Sequence, residues 1–169
     1  MRLMTLAATL GIALGVAAPA FAAQSSTTVI HDEATTWYPT AEFGVYAGVP
    51  TGLSAKYWLS PFSGIDGALS WRFPNDGYSF NIDYIMHSYV LRDVLQQPNA
   101  KIPLYAGAGI KALHLANDPE WGARFPLGVN ALLDALPISV FAEIAPGVIF
   151  KREAPVFNAD AGVGARVYF

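Results

Sequence analysis

The chain has no cysteine among its 169 residues. Disulfides and thiolate chemistry are therefore excluded, and stability must come from packing and hydrogen bonding. Charge is scarce too, with Asp, Glu, Lys and Arg making up 14% of the residues, against roughly 25% in ordinary soluble domains. The 10 Lys and Arg stand against 13 Asp and Glu, a net charge of −3. With no basic stripe or cluster, no nucleic acid partner is expected. The histidines His31, His87 and His114 lie on separate segments without ligand spacing, so no metal and no other cofactor is expected. No segment keeps a helical period. After the first 22 residues no apolar run approaches the roughly 20 residues of a membrane helix. Yet 53% of the residues are hydrophobic. So apolar a chain without apolar runs must carry its hydrophobicity in alternation.

The first 22 residues are a separate matter. Arg2, an apolar run from Leu3 to Ala18 and the small-x-small sequence Ala20-Phe21-Ala22 predict a secretory signal peptide over 1–22. Residues 23–41 are polar and aperiodic and are predicted to form a flexible N-terminal segment, in which His31, Asp32 and Glu33 read as a solvated acidic stretch. The remaining residues, 42–169, have the length of one domain.

Within 42–169 a period of 2 recurs eight times. It is clearest in "FNADAGVGARVYF" at 157–169. Phe157, Ala159, Ala161, Val163, Ala165, Val167 and Phe169 fall on one face, and Asn158, Asp160, Gly162, Gly164, Arg166 and Tyr168 on the other. The same pattern runs through strands near 43–49, 53–59, 65–73, 78–87, 104–112, 121–131 and 138–145. Turns are signalled by Pro50-Thr51-Gly52, "SPFSG" and Pro74-Asn75-Asp76-Gly77, where Asp-Gly would supply a positive φ. The longest connector runs from Leu91 to Lys101, and Pro126 and Pro146 fall inside predicted strands, where proline removes a ladder donor. The reading is all-β: an eight-stranded antiparallel up-and-down barrel with short loops.

Alternation alone does not orient a barrel, since a soluble lipocalin-like barrel turns its apolar face inward and a membrane barrel turns it outward. Glycine recurs on the polar face, which suits a crowded lumen. Aromatics gather at the ends of the apolar face, with Trp71, Phe73, Tyr78, Phe80, Trp121 and Phe157 towards one rim and Tyr84 and Phe169 towards the other. That is the aromatic girdle of a transmembrane barrel. With this alternation and the terminal "VYF", the chain resembles small eight-stranded outer-membrane barrels of the OmpA/OmpX type. More loosely, "PTGLSAKYWLS" and "PISVFAEIAPGV" resemble segments of small uncharacterised outer-membrane barrels. The resemblance implies location in the bacterial outer membrane, contact with its lipid, and recognition of Val167, Tyr168 and Phe169 by the barrel-assembly machinery. It also implies a monomer. The short connections depart from the protruding loops of adhesin-like members.

The inward set contains Lys56, Arg72, Lys111, Arg124 and Arg166, together with Asp66, Asp83, Glu143, Asp160 and His87. An eight-stranded barrel is just wide enough to be filled by side chains, so these charges must pair. A tight turn at Pro74–Gly77 would put Asp66 diagonal to His87 and Ala68 opposite Asp83. A similar count across 151–156 would put Glu143 diagonal to Arg166. The expected function is a structural or surface role with a salt-bridged lumen and no catalysis. One alternative is acyl chemistry on lipid A, but the same-face His-x-Ser spacing of the lipid A deacylases is absent: His87 and Ser88 face opposite sides. A narrow ion-leak pore is the other. His114 falls on the outward parity near a rim, without an assigned role.

Overall fold

The computed structural model describes residues 38–72, 77–91, 100–115 and 118–169. The predicted signal peptide, most of the N-terminal segment with His31, the turn at Phe73–Asp76 and most of the long connector lie outside the described residues.

Among the described residues ten strands form one antiparallel sheet: β1 (Ala41–Val49), β2 (Thr51–Ser60), β3 (Ser63–Arg72), β4 (Gly77–Ser88), β5 (Ala100–Lys101), β6 (Leu104–Leu115), β7 (Asp118–Arg124), β8 (Leu127–Leu133), β9 (Ile138–Phe150) and β10 (Pro155–Tyr168). β1 to β4 pair in sequence order, β4 pairs with β6, and β10 pairs with both β9 and β1, which closes the sheet. β7 and β8 are two halves of one stave, interrupted at Phe125-Pro126, and both lie between β6 and β9. β5 is a two-residue addition at the end of β8. The result is an eight-staved up-and-down barrel.

The interruption has a local cause. Pro126 cannot donate, and Pro146 of β9 faces the same break. Single bonds bridge it: Gly107 N donates to Pro126 O (2.9 Å) and Phe125 N to Pro146 O (2.8 Å). The register to β6 and β9 is the same on both sides of the gap, so the inward and outward faces survive it.

The apolar face is outside. Val45, Leu69, Ile110, Ile144 and Val163 are all exposed, whereas Lys56, Asp66, Lys111, Arg124, Asp160 and Arg166 are each at most 5% exposed. The lipocalin orientation is thereby overturned. Trp71, Tyr78, Phe80, Trp121, Phe150 and Phe157 stand exposed towards the end away from the termini, with Phe43, Tyr57 and Phe169 towards the termini. His114 belongs to the first belt: it lies opposite Tyr78 and stacks on its ring at 4.8 Å.

Inside, the staves approach closely. A Cβ added at Gly48 would lie 2.6 Å from Gly162 Cα and collide with the Ala161 carbonyl. Gly48→Ala is therefore expected to destabilise the barrel by about 1 to 3 kcal/mol, read as a lower midpoint in a urea titration.

Two registers differ from the sequence expectation. In the β3–β4 hairpin Arg72 pairs with Gly77, so Asp66 faces Asp83 and Ala68 faces Asn81. Gly77 starts a strand rather than making the turn, and no described glycine has a positive φ. In the β9–β10 hairpin Phe150 pairs with Pro155, which sets Glu143 opposite Gly162 and Arg166 opposite Ser139. A pairing shift of two preserves each residue's face and changes every partner.

Candidate functional site in the barrel lumen

Alternation sends one residue in two of every stave into the lumen, and the barrel's small radius forces those side chains to meet across it. Nearest the termini, Glu42 is 2% exposed. It accepts Trp58 Nε1–H at 2.6 Å and the Ser139 hydroxyl, and Arg166 Nη1 lies 3.9 Å away. Next, Arg166 reaches from β10 to β3. Its Nη2 donates to both oxygens of Asp66 (2.9 and 2.7 Å) and, with Nε, to Ser54 Oγ (2.6 and 3.0 Å). Its guanidinium lies 3.9 Å over the Phe141 ring. A hydrogen-bonded guanidinium with a π face beneath it is a well-compensated buried cation.

The following layer is shared between two acids. Arg124 bridges to Glu143 and stands 3.6 Å from Asp83, while Tyr105 donates to Glu143 (2.9 Å) and Asn81 to Asp83 (2.8 Å). Furthest from the termini, Lys111 Nζ grips Asp160 at 2.6 and 2.7 Å across the lumen, and Asn158 adds a bond at 3.3 Å. Between these layers remains a cavity of about 20 Å³ touching Tyr46, Asp66, Arg124 and Asp160, room for about one water molecule.

Of the inward set anticipated from parity, Lys56, Asp66, Asp83, His87, Lys111, Arg124, Glu143, Asp160 and Arg166 lie in one column, with different pairs. Glu143 bonds Arg124 and Tyr105, and Asp66 takes Arg166. The expected Glu143–Arg166 and Asp66–His87 neighbours are replaced for the reason given by the two registers. Lys56, opposite Glu42 and Asp66 in the ladders, makes no hydrogen bond. Its ammonium lies 4.2 Å from the Trp58 ring and 5.4 Å from that of Tyr105. His87 stacks on Trp58 at 4.2 Å with both ring nitrogens unpartnered. Arg72 is placed by its backbone alone, opposite Gly77.

Glu42 was missed in the sequence because it sits at the margin of the aperiodic segment. Its parity with Gly44 and Tyr46 was the available signal, and including it turns five cations and four anions into a balanced five and five. Among the described residues no group of His, Asp and Glu is arranged to hold a metal ion. Nor does His87 have the hydroxyl or carboxylate at hydrogen-bond distance that a general base needs.

A closed antiparallel barrel with an apolar exterior and a charged, filled interior defines a transmembrane β-barrel fold. The chain is similar in structure to the N-terminal beta-barrel domain of Pseudomonas aeruginosa OprF, with a TM-score of 0.59 over 76% of this chain and 95% of that one, at 15% sequence identity. The likeness is one of fold. No family model matches the sequence, and no curated protein matches it either.

Proposed function

We propose that the protein is an integral barrel of the bacterial outer membrane with a structural or surface role, neither an enzyme nor a solute pore. One observation carries this reading: the lumen is crossed by three ion-paired layers, Arg166–Asp66, Arg124–Glu143 and Lys111–Asp160, and the cavity between them has a volume of about 20 Å³, room for about one water molecule. Diffusing solutes would have to break paired charges in a poorly solvated interior. In the same reading the barrel is a monomer surrounded by lipid, delivered by an N-terminal signal and inserted through recognition of Val167, Tyr168 and Phe169 by the assembly machinery. The fold shared with the OprF barrel domain supports the outer-membrane location.

Acyl chemistry on lipid A is disfavoured by the isolation of His87 between aromatic rings. The test has two readouts. Purified protein in planar bilayers should give no steady conductance, and lipid A from cells with and without the protein should have the same mass. Ohmic conductance would replace this reading with a pore, and loss or gain of one acyl chain would replace it with an enzyme.

A further inference from the structure

The chain does not run straight into β1. Thr40 already belongs to the ladder, its N–H donating to Phe169 O (2.7 Å) and its carbonyl accepting from Trp58 N (3.1 Å). Alternation would then put Pro39 outside with Ala41 and Phe43. Pro39 is instead buried, and half-buried Tyr38 turns beneath the lumen, its ring 6.4 Å from that of Trp58. It completes an apolar floor formed by Trp58, Leu132 and Tyr168.

One alternation step above each floor residue is a polar one: Lys56 above Trp58, Asn130 above Leu132, Arg166 above Tyr168. Most of the unpartnered atoms lie here: Lys56 Nζ, both nitrogens of His87 and both amide atoms of Asn130, itself 0% exposed, with Arg166 Nη1 beside them, while Asp83 Oδ1 and Arg124 Nε belong to the layer above. Buried polar groups without partners favour any state that lets water reach them. The floor keeping water out includes one tile that is held by a chain segment ahead of the first strand rather than by the sheet.

We propose that Tyr38-Pro39 is a movable stopper. Seated, it closes the lumen at the termini; displaced, it admits water to Lys56, His87 and Asn130. The ion-paired layers above stay shut in both states, so the device goes beyond the role proposed above and makes the lumen a chamber open at one end only.

The absence of cysteine makes the test clean. Asn130→Cys is introduced into the full barrel in lipid vesicles, and its reaction with a small charged thiosulfonate is timed with and without Tyr38→Ala. Slow labelling is expected with Tyr38 and with Tyr38→Phe. Tyr38→Ala should speed it by about tenfold, the change that about 1.4 kcal/mol of lost packing makes in an opening equilibrium. Leu132→Cys serves the same comparison if Asn130→Cys does not fold. Ser70→Cys, in the other half of the lumen, should be unaffected. Equal rates with and without Tyr38→Ala, or an acceleration at Ser70→Cys as large as at Asn130→Cys, would overturn the stopper. Steady conductance appearing with Tyr38→Ala would overturn the filled lumen instead.

Discussion

Arg166→Met is expected to destabilise the folded barrel by roughly 3 to 5 kcal/mol, the cost of stranding buried charges without their partner. Arg166 is 2% exposed and is the counter-ion of Asp66, with Glu42 3.9 Å from its other terminal nitrogen. Removing it leaves the carboxylates of Asp66 and Glu42, 5% and 2% exposed, without that cation. Adding Asp66→Asn should recover much of the loss, because the pair is then removed together. Urea titration of the four proteins of the cycle in lipid vesicles measures the coupling. Glu143→Gln should couple strongly to Arg124→Met and much less to Arg166→Met, since Glu143 bonds Arg124 and Tyr105 while Arg166 bonds Asp66 and Ser54. Strict additivity for Arg166 and Asp66 would mean a wet lumen and would favour the pore.

Val163→Arg is the counterpart on the outer face. Val163 is 58% exposed, midway along β10, and flanked on the neighbouring staves by Ala47 and Ala142. An arginine there meets hydrocarbon and should cost roughly 2 to 4 kcal/mol. Leu69→Arg, on β3, should behave alike. Folding titrations in lipid vesicles measure both, and because only a barrel with its apolar face away from lipid would tolerate them, neutral values would contradict a lipid-facing exterior.

The sequence made faces legible and partners illegible, for a physical reason. Alternation has a period of 2 whatever the register, so Phe157 to Phe169 could be sorted into inside and outside without knowing what lay beside them. Partners depend on where each turn closes. The Asp76-Gly77 signal suggested a tighter turn than the one observed, with Arg72 opposite Gly77. That slip carried Asp66 from a position diagonal to His87 to one facing Asp83. The cross-lumen contacts were further out of reach, since Arg166 and Asp66 meet through the curvature of a closed sheet and not along any ladder. Pro126 was visible as a missing ladder donor, although the expected strand ran through it from 121 to 131 where the structure breaks between β7 and β8. Tyr38 gave no sign, because a residue that leaves the alternation leaves no pattern.

The assignment of faces, on which everything else depends, is tested most directly by quenching single tryptophans with brominated acyl chains in the bilayer. Trp71 and Trp121 are 39% and 59% exposed on the outer face, while Trp58 is 3% exposed and hydrogen-bonded to Glu42. In variants retaining one tryptophan each, with phenylalanine at the others, Trp71 and Trp121 should be strongly quenched and Trp58 should not. Strong quenching of Trp58 with Trp71 and Trp121 untouched would turn the barrel inside out and remove the basis for a charged plug.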